Sequence, residues 1–135
     1  MAVLALDHVN LRSADPAATI AFFRDALQMK VGAPPGMAPS DKGAWIFDED
    51  DRPIVHIASL EARYPTDAAW PFKEARGSGV IHHVALRCGA FEATRERLGT
   101  LGIEFHENHL PAAKLRQIFV RDPADIILEL NFFED

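Results

Sequence analysis

Two histidines occupy matching positions in two similar stretches of the sequence. The stretches LDHVNLR, from Leu6 to Arg12, and VIHHVALR, from Val80 to Arg87, align when His8 is placed on His83. Both alternate apolar and polar residues, which is the pattern of a β-strand that packs one face. We therefore expect both histidines to lie on the face opposite the packed one.

Two later apolar stretches each contain one polar residue that fits the same site. His56 interrupts PIVHIA, and Glu129 interrupts IILELN. A carboxylate in an apolar strand is costly unless it is paired, ligated or solvated. Imidazole and carboxylate groups together suit Zn, Ni, Co, Mn or Fe(II), and such an ion keeps open positions for a substrate. The set predicts one divalent metal site with these ligands: His8, His56, His83 and Glu129.

The alternative is that these are structural residues, because a lone strand histidine is more often a hydrogen-bonded core residue than a ligand. The interpretation as a metal site depends on the matching positions that the candidate ligands occupy in the two halves of the sequence. Alternation sends His82 to the packed face, so His83 is the preferred ligand of the two. Glu129 and His56 are the candidates for moving a proton. The candidates for substrate contact are Asn10, Gln117, Phe119 and Asn131.

The elements that must position these residues follow the order β-α-β-β-β in each half. Asp15 and Pro16 predict the start of a helix with an apolar stripe at Ile20, Phe23 and Leu27. A hairpin then leads to the strand 53–58.

The second half repeats this order. Its helix is predicted at about 90–101, with Gly102 as the C-terminal cap. A strand is expected at 103–106, a loop at 106–114, and two further strands at 115–121 and 126–131. The fold class is therefore α+β. The predicted organisation is a single domain with module 1 at about 1–60, a connecting arm at 61–78 and module 2 at about 79–135.

Composition excludes several classes of protein. The chain has 135 residues, 48% hydrophobic and 25% charged, with a net charge of −6. An acidic chain without basic runs argues against nucleic-acid binding. No apolar run approaches membrane-spanning length, so we expect a cytoplasmic protein with no membrane partner. The lone Cys88 cannot form a disulfide within the chain.

The arm 61–78 is long for a connection inside one domain, which indicates a role of its own. Exposed sheet edges and this arm favour a symmetric homodimer. The apolar contacts that we expect from the arm come from Tyr64, Trp70 and Phe72.

Three segments resemble the vicinal oxygen chelate superfamily, the glyoxalase, bleomycin resistance protein and extradiol dioxygenase group. They are DHVNLRSADPAATIAFFRDALQM, GAWIFDEDDRPIVHIA and RQIFVRDPADIILELNF. The resemblance implies two paired βαβββ modules that form a cupped mixed sheet around a central metal site. It places the ligands on His8, His56, His83 and Glu129, and it implies a homodimer and a small-molecule substrate whose oxygens chelate the ion.

Three positions depart from individual branches of this superfamily. His56 stands where glyoxalase I has a glutamate, which argues against an ordinary glutathione-dependent glyoxalase. Phe119 stands where extradiol dioxygenases have a tyrosine, and Asp125 where the turn normally has glycine. We therefore expect a lyase or isomerase that acts through a metal-stabilised enolate. The alternatives are an Fe(II) extradiol-type dioxygenase and a non-catalytic small-molecule binding protein.

Overall fold

The computed structural model describes residues 1–33, 40 and 42–135. The sequence predicts a loop at 33–43 from its Pro and Gly residues, and residues 34–39 and 41 of this stretch lie outside the described residues. The chain divides into two compact units, Met1–Glu74 and Ala75–Asp135. None of the helices in the described part of the chain has both the length and the apolar character needed to cross a bilayer.

The described part of the first unit contains a helix and a four-stranded mixed sheet. The elements are β1 (Val9–Ser13), α1 (Pro16–Ala21), β2 (Lys30–Gly32), β3 (Gly43–Phe47) and β4 (Pro53–Ser59). The strands lie in the order β1-β4-β3-β2, with β1 parallel to β4 and the other pairs antiparallel.

The predicted helix start is confirmed. The Asp15 carboxylate accepts a hydrogen bond of 3.1 Å from the Ala18 N–H, and Pro16 occupies the first turn. After Ala21 the helix continues as a π-helical stretch, Phe22–Ala26, in which Leu27 N–H donates to Phe22 O at 3.4 Å. The α-helical part packs against β4, β3 and β1, and Phe23 in the π-helical stretch is 0% exposed.

The second unit repeats the first. Its elements are β5 (Val84–Cys88), α2 (Phe91–Thr100), β6 (Phe105–Leu110), a 3-10 turn (Pro111–Ala113), β7 (Leu115–Arg121) and β8 (Ile127–Phe133). The strands lie in the order β5-β8-β7-β6, with β5 parallel to β8. Gly102 has a φ of +68° after α2, as its predicted role as a cap requires. The α+β class and the βαβββ order of each half are confirmed.

The first strand of each unit begins later than the sequence predicts. Ladder pairing starts at Val9, opposite Val55, and at Val84, opposite Leu128. In the sequence, the apolar residues before each strand fit the same alternation of apolar and polar residues. In the structure they lie outside the strands, and Val80 is 105% exposed. The expectation that His82 packs beneath the sheet is wrong, because this residue precedes β5 and is exposed.

The predicted loop 106–114 is wrong over its first half. Residues up to Leu110 belong to β6, which pairs with β7 from Phe105 to Leu110. This strand lies at the edge of its sheet, and His106 to Leu110 are all exposed. An edge strand with two solvated faces lacks the apolar alternation from which a strand is recognised.

A tight turn at Asp122 connects β7 to β8. Asp122 is 3% exposed, and its Oδ1 accepts hydrogen bonds of 2.9 Å from the N–H groups of Ala124 and Ile126. The Arg76 guanidinium braces the turn by donating to Asp125 Oδ2 at 2.9 Å and to Pro123 O at 3.0 Å. Burial raises the pKa of Asp122 above its ordinary value of 3.8.

Replacing Asp122 by Ala should lower the free energy of unfolding by about 1–3 kcal/mol, because two N–H groups lose their acceptor. Urea unfolding measures this loss. The raised pKa means that the folded chain binds the Asp122 proton more tightly than the unfolded chain does. The stability from protonation is therefore present below pH 3.8 and is lost as the pH rises through the folded pKa.

The Asp122→Asn variant keeps Oδ1 as an acceptor and cannot titrate, so it should lose this pH-dependent component. Glu96→Gln, at an exposed position of α2, is the matched control and should retain it. Equal pH profiles for the wild type and Asp122→Asn would contradict the assignment.

Candidate metal-binding site

In the first unit, His8 and His56 lie on the sheet face opposite the helix. His8 directly precedes β1, and His56 lies in β4 opposite Asn10. The residues on either side of His56 in β4, Val55 and Ile57, point to the opposite face and are 2% and 0% exposed. The alternation of β4 therefore gives one face to the core and the other to the two imidazoles.

The Trp45 indole contacts both of these imidazoles. Its ring stacks on that of His56, with centroids 4.4 Å apart and planes 11° from parallel. It meets His8 edge to face at 4.8 Å. Trp45 Nε1 is buried without a hydrogen-bond partner among the described residues. A single indole thus restricts the orientation of both rings.

Hydrogen bonds occupy one nitrogen of the His56 ring. Tyr64 Oη and Asn10 Nδ2 each lie 3.3 Å from His56 Nδ1. Asn10 Nδ2 also donates to Tyr64 Oη at 2.8 Å, and Asn10 Oδ1 accepts from Arg12 Nε at 3.2 Å. Asn10 Nδ2 can only donate, so Nε2 is available to an ion in the tautomer in which His56 Nδ1 donates its proton to Tyr64 Oη.

The arm after β4 brings Tyr64 to this site. The Arg12 guanidinium lies over the Tyr64 ring at 4.4 Å and over the Phe72 ring at 4.9 Å. It also donates to the backbone oxygens of Ser59 at 3.2 Å and Ala62 at 2.9 Å. The structure places Tyr64 against His56 and Asn10, a role that the sequence analysis missed. The sequence signal that relates to this contact is the strand phase. Alternation places Arg12, whose guanidinium lies over Tyr64, on the same face of β1 as Asn10.

The environment of His56 favours its neutral form. Burial lowers its pKa, and the neighbouring His8 and Arg12 lower it further by charge repulsion. A neutral imidazole is the form that binds a metal ion, so this arrangement suits a ligand.

In the second unit, His83 and Glu129 meet directly. His83 directly precedes β5, and its Nε2 lies 3.0 Å from Glu129 Oε2. Glu129 pairs with Ala85 across β5 and β8, in the same register in which His56 pairs with Asn10. His83 Nδ1 lies 2.9 Å from His82 Nδ1. The duplication therefore gives Glu129 and His56 equivalent positions in their sheets.

The other oxygen of Glu129 is held by Gln117. Gln117 Nε2 donates to Glu129 Oε1 at 2.8 Å and to Asn131 Oδ1 at 2.9 Å. Gln117 is 7% exposed, and its Oε1 accepts from Asn108 Nδ2 at 2.8 Å. Phe119, which is half-buried, pairs with Glu129 across β7 and β8.

The structure brings the four predicted ligands together as two pairs: His8 with His56 in the first unit, and His83 with Glu129 in the second. Within residues 1–33, 40 and 42–135, no group of three or more His, Cys, Asp or Glu side chains is placed to hold a metal ion.

The chemistry of the donor set nevertheless suits a divalent ion. His8 Nδ1 donates to the Asp7 carboxylate, and Tyr64 Oη is placed to accept a proton from His56 Nδ1. Ligating histidines characteristically use their second nitrogen in this way. His8 therefore keeps Nε2 for an ion, and His56 does so in the tautomer whose Nδ1 donates to Tyr64 Oη.

A match to a protein-family model agrees with the α+β fold and the two βαβββ units described above. The model for the Glyoxalase/Bleomycin resistance protein/Dioxygenase superfamily matches residues 5–130, nearly the whole chain. The chain belongs to this superfamily. No curated protein sequence matches it significantly.

Solved structures share the fold of this superfamily member at low sequence identity. Lactoylglutathione lyase from Agrobacterium tumefaciens is 17% identical with a TM-score of 0.65, over 95% of this chain and 92% of that one. The fosfomycin resistance protein FosX from Listeria monocytogenes is 18% identical with a TM-score of 0.65, over 98% and 96%. A glyoxalase/dioxygenase from Nostoc punctiforme is 18% identical with a TM-score of 0.67, over 100% and 99%. This likeness establishes the architecture and leaves the reaction to the residues of the site.

We expect the pKa of His56 to rise in an Arg12→Met variant, because methionine keeps an apolar stem and removes the repelling charge. NMR titration of the His56 ring protons measures this change, and Arg24→Met on the exposed side of the first helix is the control. The lowered pKa also means that the stability contributed by His56 is present above pH 6.5 and is lost as the pH falls through the folded pKa. An unchanged His56 pKa in Arg12→Met would contradict this account.

Proposed function

We propose that this superfamily member is a metal-dependent lyase or isomerase that acts on a small, oxygen-chelating substrate. The observation that supports the proposal is the repeated register, which gives His56 and Glu129 equivalent strand positions beside His8 and His83. In this proposal the metal ligands are His8, His56, His83 and Glu129. A divalent ion of the group Zn, Ni, Co, Mn or Fe(II) would supply Lewis-acid chemistry, which acidifies a C–H next to a substrate oxygen.

The chain's own residues would then handle the proton. Glu129 is anchored through Oε1 by Gln117, so Oε2, which lies 3.0 Å from His83 Nε2, is the oxygen that would accept a proton when partly detached from the ion. His56 is the second candidate for this task, since its lowered pKa keeps it neutral and able to accept. Asn10 and Asn131 are the proposed substrate contacts, with Phe119 as an apolar one.

The first test is metal content. Protein purified without chelator should contain one divalent ion per chain, and both His83→Ala and Glu129→Ala should lose it while keeping the fold. Elemental analysis together with circular dichroism measures the two properties. His106→Ala is the matched control, because His106 lies on the exposed edge strand and pairs with Glu104 at 3.1 Å. Unchanged metal content in both ligand variants would refute the site.

A second assay separates this function from ring-cleaving dioxygenation. Phe119 is the residue that pairs with Glu129, and a phenylalanine cannot exchange a proton or hydrogen bond with a catechol. Apo-protein reloaded separately with Zn, Ni, Mn or Fe(II) should therefore convert a 2-oxoaldehyde-thiol adduct with several ions and consume no oxygen. Oxygen uptake that requires both Fe(II) and a catechol would establish the dioxygenase instead.

The same assay also covers a non-catalytic role. A binding protein of this fold would retain a ligand without turnover and would not require the four proposed ligands together. A non-catalytic role would be supported if the 2-oxoaldehyde-thiol adduct or the catechol bound saturably to the wild type, to His83→Ala and to Glu129→Ala, and if no metal-loaded form released a product.

We also infer that the chain forms a homodimer. In the arm, Trp70 is 77% exposed and Phe72, two residues later, is 45% exposed, so the arm offers neighbouring apolar surface that a second chain could cover. Light scattering at micromolar concentration should give the mass of two chains, and Trp70→Lys should shift the population towards monomer. Leu101→Lys, at a 47% exposed position in the second unit, is the control and should leave the mass unchanged. A wild-type protein that is monomeric at these concentrations would overturn the inference.

A further inference from the structure

A row of three amide side chains crosses the second sheet beside Glu129. Asn108 of β6 pairs with Gln117 of β7, and Gln117 pairs with Asn131 of β8. Glu129 lies two residues before Asn131, and alternation along β8 therefore places it on the same face. The four side chains form one continuous hydrogen-bonded network.

The carboxylate determines the direction of every bond in this network. An ionised Glu129 can only accept, so Gln117 must present its NH₂ group to Oε1. The second proton of that group goes to Asn131 Oδ1, and Gln117 Oε1 then faces the NH₂ group of Asn108. Turning the Gln117 amide over would bring its oxygen against the carboxylate.

Burial makes this arrangement rigid. Gln117 is 7% exposed, and the Glu129 side chain is 14% exposed. A buried donor that loses its acceptor destabilises the folded state, so an alternative rotamer of Gln117 is disfavoured. Both of its amide protons are used inside the protein, which favours a supporting role for Gln117 over direct substrate contact.

We propose that Gln117 is a positioning residue that prepares two groups of the site at once. It holds Oε1 of Glu129, so that Oε2, on the side of His83, is the oxygen presented to an ion. It also holds Oδ1 of Asn131, so that Nδ2 of Asn131 is the group that faces a substrate oxygen. The effect on the ion rests on the proposed function, whereas the orientation of the two side chains is a property of the chain itself.

The metal-binding part of the test compares two variants. Gln117→Met keeps the length of the side chain and removes both donors, so it should weaken Co(II) binding by about 10- to 100-fold, as loss of a group that orients a ligand does. It should also change the Co(II) absorption spectrum, because a loosened Glu129 alters the coordination. Asn108→Ala removes only the partner on the far side of Gln117 and should leave the affinity and the spectrum close to those of the wild type. A lower stability of the fold alone would not change the spectrum of the bound ion.

The second part of the test uses metal-free protein. In ¹⁵N-labelled wild type, the side-chain NH₂ protons of Gln117 should exchange slowly with water, because both are bonded in a buried position. Glu129→Ala should speed this exchange and shift the two resonances. Glu92→Ala is the control and should leave them in place, because Glu92 bonds Arg116 and Arg95 at the surface.

These results separate the positioning role from the metal function. Wild type that binds no metal but shows protected Gln117 protons, exposed by Glu129→Ala, would refute the proposed function and retain the positioning. Unprotected Gln117 protons, or a Gln117→Met protein with wild-type cobalt affinity and spectrum, would overturn the positioning role even if the wild type binds metal.

Discussion

The candidate site depends on the parallel pairing between the first and last strand of each unit. β1 pairs with β4 and β5 pairs with β8, and the two registers are equivalent. This pairing places His8 beside the strand of His56 and brings His83 to 3.0 Å from Glu129. The opposite face of the same strands supplies the core. A slip by one residue would therefore bury the polar groups and expose the core of the unit together.

The two units stabilise their polar groups in different ways. In the first unit, Trp45 stacks on His56, while Tyr64 and Asn10 occupy one ring nitrogen. In the second unit, a neutral amide, Gln117, anchors one carboxylate oxygen. Burial favours the neutral form of the His56 imidazole, whereas the hydrogen bond from Gln117 fixes the orientation of the Glu129 carboxylate. The first environment thus favours the form of its imidazole that can bind a cation, and the second orients a carboxylate oxygen.

The fold of the superfamily leaves the reaction open, because one architecture supports several chemistries. The residues beside the proposed ligands are therefore more informative than the ligands. Phe119 adjoins Glu129 and offers no polar group, which favours proton transfer by the carboxylate over chemistry that needs a neighbouring hydroxyl. Tyr64 supplies a hydroxyl in the first unit instead, bonded to Asn10 and next to His56.

The sequence by itself determined the α+β class, the repeated βαβββ order, the helix start at Asp15 and the shared strand phase of the polar residues. These features follow from alternation and capping, which are local properties of the chain. Only the tertiary structure decided the start of the ladders at Val9 and Val84, the edge strand β6, the position of Tyr64 and the orientation of Gln117. Tyr64 meets Asn10 across 54 positions of the chain, and Gln117 meets Glu129 across 12. Such contacts depend on strand pairing and on the satisfaction of buried polar groups, and neither leaves a periodic signal in the sequence.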